Sequence, residues 1–128
     1  MQKKIVLFVC RGNRYRSRIA EEIFNKNPPR GFVAESAGIH YQKYNDRAVP
    51  VVLREIGIEL TKKKPRKLTG KMLEKASRII VFDGVSIPSR KVDTWPIKDC
   101  HAGDAVCIRK GRKQIEKLVE ELLAELAS

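Results

Sequence analysis

The sequence predicts an open α/β sheet, and three observations predict it. Lys3 to Val9 and Ser77 to Phe82 are continuous, β-rich apolar runs, too uniform for strands with one wet face and suited to parallel strands buried on both faces. Segments with helical spacing of apolar residues lie between and after these runs, and strands alternating with helices are the pattern of a parallel sheet. The 128 residues are 42% hydrophobic and 33% charged, which supports one domain, 1–128, with a core of its own.

The first strand ends at Cys10. A helix begins at Ser17 with Ile19, Ala20, Ile23 and Phe24 on one face, and Pro28-Pro29 stops it. Gly31 to Ser36 reads as a second strand. Asp46 can cap a helix whose apolar positions are Val49, Val52, Leu53 and Ile56; Pro50 is tolerable in its first turn, and Gly57 ends it. A short helix is expected from about Thr69 to Lys75 and a short strand from Val92 to Ile97. The last helix carries the stripe Ile115, Leu118, Val119, Leu122, Leu123 and Leu126, with Glu116, Glu120, Glu121 and Glu125 outside it.

Several classes are excluded by composition. No apolar run approaches the roughly 20 residues of a membrane span. The start, Met1-Gln2-Lys3-Lys4 before Ile5 to Cys10, mimics an export signal, but the apolar stretch is too short and Arg11, Arg14, Arg16 and Arg18 follow it, so a cytoplasmic protein is expected. Three cysteines, an odd number, read as thiols rather than a disulfide framework. The 27 Lys and Arg exceed the 15 Asp and Glu for a net charge of +12, and the excess is local. Residues 1–18 carry six cations and no acid, and residues 61–78 carry eight cations against Glu74 alone. Such patches attract nucleic acid, an acidic membrane surface or a phosphorylated substrate.

Ligands of open α/β sheets sit beyond the carboxyl ends of the strands, where Cys10-Arg11-Gly12-Asn13-Arg14-Tyr15-Arg16-Ser17 places a thiol, a loop and a helix start. A loop of this length can turn backbone N–H groups inward as an anion nest, with the helix N-terminus adding its positive end. That field favours the thiolate, the nucleophilic form of cysteine. Arg16 can grip two oxygens of a tetrahedral oxyanion, and Gly12 and Asn13 tolerate positive φ.

This segment resembles the phosphate loop of low-molecular-weight protein tyrosine phosphatases, and the likeness continues along the chain. Ile19-Ala20-Glu21 resembles the family's helix, Glu35-Ser36-Ala37-Gly38 its Ser-Ala-Gly segment, and Ala48 to Leu60 its next helix and exit. Arg66-Lys67-Leu68-Thr69 and Ile79-Ile80-Val81 follow in order, and Trp95-Pro96-Ile97-Lys98-Asp99 resembles the segment that bears the family's acid. The resemblance implies a single-domain open four-stranded parallel sheet flanked by helices on both faces, with the phosphate loop after strand 1. It also implies hydrolysis of phosphomonoesters through a phosphocysteine, with no metal and no cofactor. Cys10 would attack phosphorus, Arg16 would bind the phosphoryl oxygens, Ser17 would donate to the sulfur, and Asp99 would serve as general acid and base. Arg11, Gly12, Asn13, Arg14 and Tyr15 would line the bound group, Ser36 would partner Asn13, and His40 and Tyr41 would border the pocket. The expected partner is a phosphotyrosine-containing protein or another anionic phosphomonoester.

The chain departs from the family pattern at several points. Tyr15 stands where many members have a second cysteine, and Lys63 sits near the position of a histidine that supports the loop. Arg14 and Arg18 replace an uncharged residue and a proline; with Arg11 they are expected to make the rim positive, favouring acidic phosphotyrosine peptides and disfavouring phosphoarginine. Asp99-Cys100-His101 replaces the usual Asp-Pro and aromatics. Asp93 is the alternative acid, Trp95 is read as a packing residue, and the Lys62 to Lys67 run is either a solvated face or an anion-recruiting one. Cys100 and Cys107 are read as ordinary thiols, yet their spacing is that of the relay pair in thioredoxin-coupled arsenate reductases, where the pair precedes the acid rather than following it. Arsenate reduction and a non-catalytic anion- or nucleic-acid-binding module are the alternatives. Few aromatics interleave with the basic residues, so nucleic acid is not expected.

Overall fold

The computed structural model describes residues 2–89 and 91–128; Met1 of the signal-like start lies outside them. The order is β1 (Lys4–Cys10), α1 (Arg16–Lys26), β2 (Phe32–Gly38), α2 (Val49–Arg54), α3 (Gly70–Lys75), β3 (Ala76–Phe82), β4 (Val92–Trp95) and α4 (Ala105–Ala127). All three strand pairings are parallel, in the order β2-β1-β3-β4. The apolar runs that predicted buried strands are the two central ones, as continuous hydrophobicity requires.

Alternation along β1 divides the interior into two layers. Val6, Phe8 and Cys10 point into the larger core, beneath α1, α2 and α4. Leu7 and Val9 join Ile79 and Val81 in the smaller one, which Met72 and Leu73 of α3 help to cover. Each fully buried Leu, Ile or Phe contributes about 2–3 kcal/mol. Trp95 packs as expected, with its ring 5.5 Å from that of Phe8 and 5.9 Å from that of Phe82.

Boundaries differ from the sequence reading where tertiary contacts extend or trim an element. Strand β2 continues to Gly38 because Ala37 and Gly38 pair with Val9 and Cys10. Strand β4 stops at Trp95 because Ile97 turns back to donate to the Trp95 carbonyl. Helix α2 ends at Arg54, before Ile56, and Gly57 supplies the positive φ of 76° that the exit needs. Helix α4 begins at Ala105, well before the stripe, because the Asp104 side chain caps it by accepting from the Cys107 N–H at 3.1 Å.

Candidate active site

The loop between β1 and α1 is held from outside by its carbonyls. Those of Cys10, Arg11, Gly12 and Arg14 accept from the N–H groups of Ile39, His40, Gln42 and Asp46. With the carbonyls turned outward, the Asn13 N–H donates inward to Cys10 Sγ at 3.2 Å. Cys10 is a free thiol, only 2% exposed, and Ser17 Oγ lies 2.8 Å from its sulfur. The result is a loop curled around the sulfur with its carbonyls turned away, the arrangement of an anion-binding cage.

The cage stands on Asn13, the only non-glycine residue with positive φ (53°) among the described residues. Its side-chain amide donates to Ser17 Oγ at 2.7 Å and to Ser36 Oγ at 2.9 Å, and its carbonyl oxygen accepts from the Arg66 N–H at 2.9 Å. Ser36 in turn donates to Glu21 Oε1 at 2.6 Å, and Lys63 reaches Glu21 Oε2 at 3.0 Å. Lys63, noted near a supporting histidine's position, thus lies in the layer beneath the loop. Gly38 admits the loop to the end of β2: a Cβ there would lie 2.8 Å from the Arg11 carbonyl and from the Asn13 nitrogen.

Arg16 enters the same cage from the first turn of α1. Its Nη1 donates to the carbonyls of Ile97 (2.7 Å) and Asp83 (2.9 Å), and its guanidinium lies over the Phe82 ring at 5.6 Å. Nε is buried without a partner, and Nη2 lies 3.7 Å from Asp99 Oδ2. The Nε/Nη2 edge therefore remains as a planar pair of donors matched to two oxygens of a tetrahedral anion. The half-exposed Asp99 carboxylate accepts from the Cys100 N–H at 2.9 Å and sits beside both Arg16 and Arg14. Asp93, the alternative acid, instead pairs with Arg78 at 3.2 Å on the surface.

Four sequence expectations need correction. Arg18 is not a rim residue: it is 1% exposed and pairs with Glu21 at 2.5 Å and Glu22 at 3.1 Å, an i,i+3 and i,i+4 arrangement that spacing on α1 could have revealed. Arg14 does not offer a free charge to a bound group either, because it pairs with Asp46 and donates to the Cys100 carbonyl at 2.8 Å. Tyr15 does not line the bound group with its side chain: the ring is 1% exposed beneath α4, where a Cβ on Gly111 would overlap its hydroxyl. That hydroxyl has no partner, and burial pushes its pKa up to about 12 against the lowering effect of Arg16. Finally, Cys100 and Cys107 are joined in a disulfide with Cα atoms 5.9 Å apart. The turn 99–104 folds Cys100 back onto the first turn of α4, a proximity that spacing along the chain does not encode.

The remaining candidates lie around the mouth. Arg11, His40 and Tyr41 are exposed and Gly12 is buried in the loop; His40 is placed beside the loop by its N–H donating to the Arg11 carbonyl at 2.8 Å. Asp46, read only as a helix cap, is a junction: it accepts from the Ala48 and Gly103 N–H groups at 2.9 and 2.8 Å as well as from Arg14. A buried carboxylate needs such partners; the capping signal covers the local Ala48 contact, and nothing in the sequence points to Gly103 or Arg14. No helix among the described residues is long and apolar enough to cross a membrane.

Residues 5–89 match the family model described as low molecular weight phosphotyrosine protein phosphatase. An arsenate reductase of Oceanobacillus iheyensis is 30% identical over 106 residues, which cover 77% of this chain and 76% of that protein. Among solved structures, an arsenate reductase from Archaeoglobus fulgidus has a TM-score of 0.79 at 31% identity, with 93% of this chain and 98% of the other covered. An arginine phosphatase from Geobacillus stearothermophilus superposes with a TM-score of 0.83 at 22% identity, covering 96% of this chain and 92% of the other; that likeness is one of fold.

Proposed function

The chain belongs to the low molecular weight phosphotyrosine protein phosphatase family, and on that premise we propose that it hydrolyses phosphomonoesters, phosphotyrosine in proteins above all, through a phosphocysteine on Cys10. In the first step the Cys10 sulfur attacks phosphorus as the bond to the ester oxygen breaks, and Asp99 gives that oxygen its proton. In the second, the Asp99 carboxylate takes a proton from water, water attacks phosphorus, and the sulfur leaves toward the Ser17 hydroxyl. Arg16 and the loop N–H groups stay bound to the equatorial oxygens throughout, so the charge of the transition state meets donors already oriented. The observation that carries the reading is the convergence of Asp99 on the free edge of Arg16, 3.7 Å away, at the mouth of the cage that holds Cys10.

Depth supports an aryl ester. Cys10 is nearly sealed, and a tyrosine stem reaches such a floor more readily than the short stem of serine. The test is hydrolysis of p-nitrophenyl phosphate by the wild type and by Cys10→Ser. Turnover confined to the wild type supports the assignment, and comparable turnover by both removes Cys10 from the chemistry.

A second reading is favoured by one specific observation: the Cys100–Cys107 disulfide lines the same cleft as Arg11 and Asp99. In arsenate reduction the pair would start as two thiols. Cys10 would displace water from arsenate, one thiol of the pair would attack the Cys10 sulfur, and arsenite would leave with two electrons. The other thiol would then displace Cys10 as a thiolate and close Cys100–Cys107, which an external dithiol would reduce for the next turnover. Arsenate reduction that disappears in Cys107→Ser while aryl phosphate hydrolysis persists would establish this second activity.

A further inference from the structure

We propose that the Cys100–Cys107 disulfide is a thiol-exchange site whose redox state positions the Asp99 carboxylate and thereby tunes proton donation to the leaving group, a role that rests on the reading of Asp99 as the acid. Unlike the arsenate relay, it requires no bond to Cys10.

Every polar or bonding group of Cys100 is engaged. Its N–H donates to Asp99 Oδ1 at 2.9 Å, its carbonyl accepts from Arg14 at 2.8 Å, and its sulfur is bonded to Cys107. The Cys100 N–H is the one hydrogen bond to the Asp99 side chain among the described residues, because Arg16 and Arg14 stand at 3.7 and 3.9 Å. The direction of the carboxylate therefore follows the backbone of residue 100. Cys107 sits on a fixed support, since Ile108 and Ile115 of α4 are fully buried. The disulfide joins that support directly to residue 100, within a turn also held by Arg14 on Cys100, by the Gly103 N–H on Asp46 at 2.8 Å, and at its far end by Asp104, which accepts from the Cys107 N–H at 3.1 Å.

The bond is within reach of a reductant. It borders an open cleft of about 520 Å³ shared with Arg11, Asp99, His101 and Asp104, and Cys107 is partly exposed where Cys100 is not. A thiolate of a dithiol reductant can attack Cys107 Sγ, expelling Cys100 as a thiolate. The reductant's second thiol then displaces Cys107 and closes the reductant's own disulfide, so two electrons enter and both cysteines leave as thiols. The reduced turn keeps its hydrogen bonds to Arg14, Asp46 and the start of α4 and stays in place, but residue 100, whose amide aims Asp99, loses its direct bond to Cys107. Neither Cys10, Arg16 nor Asn13 depends on this bond, so the phosphate cage is unchanged.

The test compares oxidised wild type, with one titratable thiol, and dithiothreitol-reduced wild type, with three, on phenyl phosphate and p-nitrophenyl phosphate. A positioned acid is worth roughly 10²–10⁴ in rate, and it matters most for the basic phenolate. Reduction should therefore lower kcat/KM for phenyl phosphate by about tenfold, change that for p-nitrophenyl phosphate by less than about twofold, and leave inhibition by inorganic phosphate unchanged. The double variant Cys100→Ser/Cys107→Ser should match the reduced enzyme and ignore dithiothreitol. An equal ratio of the two esters in both redox states overturns the proposal, as does a double variant that still responds to reductant. Absence of hydrolysis of both esters in both states overturns instead the assignment of a phosphatase on which it rests.

Discussion

The Asn13 side-chain amide donates to the Ser36 hydroxyl at 2.9 Å, so the C-terminal end of β2 supports the left-handed residue of the loop after β1. Replacing Asn13 by Ala leaves a φ of 53° to a side chain that resists it and strands the Ser36, Ser17 and Arg66 groups. The summed cost is about 2–4 kcal/mol. Urea denaturation of Asn13→Ala should show this loss together with weaker inhibition by phosphate. Asn13→Gly should recover part of the stability, because it removes the backbone strain, but not the phosphate affinity.

Cys10→Ser should abolish turnover and still bind phosphate, because the loop N–H groups and Arg16 survive the loss of the sulfur. Calorimetric titration with phosphate checks this directly. Arg16→Lys should lose at least about 100-fold in kcat/KM, since an ammonium cannot present the paired edge that Nε and Nη2 form. Near-normal activity in that variant would assign the oxyanion to another cation.

Asp99→Asn should lose far more rate on phenyl phosphate than on p-nitrophenyl phosphate. Asp93→Asn should leave both nearly unchanged, because Asp93 is committed to Arg78 at 3.2 Å on the surface and such exposed pairs are worth about 0–1 kcal/mol. The reverse ranking would place the acid on β4.

Tyr15 makes a prediction about alkaline stability. Its folded-state pKa of about 12 lies above the ordinary value of 10.0, chiefly through burial, so the neutral phenol is favoured by folding. Between those two values the unfolded chain releases the proton that the folded chain retains. Stability is intact below pH 10 and falls as pH rises from about 10 to 12, at up to roughly 1.4 kcal/mol per pH unit. Tyr15→Phe should flatten this decline and, since the hydroxyl is buried without a partner, cost little or nothing at pH 7. Urea midpoints across the pH range measure both effects, and parallel curves for the two proteins would contradict the assignment.

Arg11 and Arg18 should part company as variants. Arg11 is exposed at the mouth, so Arg11→Gln should reduce the preference for acidic over neutral phosphotyrosine peptides, and the preference should fade as salt rises past about 0.15 M. Arg18→Gln should leave that preference unchanged. It should instead cost about 1–3 kcal/mol by removing a charged partner of Glu21, which keeps only Ser36 and Lys63, and of Glu22, which keeps only Thr61, visible as a fall in Tm.

The strand–helix alternation, the two central strands and the thiol–loop–arginine segment are legible along the chain because they are local facts: continuous apolar runs, helical spacing, and residues that tolerate a tight turn. The chain also carried the positions of Asn13, Ser36, Lys63 and Asp99 through a family likeness. Which charges are free depends instead on contacts between distant segments. Arg14 and Arg18 look like rim cations in the chain, yet Asp46 and Glu21 with Glu22 neutralise them, because a buried guanidinium is stable only beside a carboxylate. The structure likewise decided that Tyr15 packs beneath Gly111 and that Cys100 meets Cys107. The first depends on the packing of α4 against the start of α1, and the second on the turn 99–104 that leads into α4, and neither the spacing of residues nor their types encodes those placements.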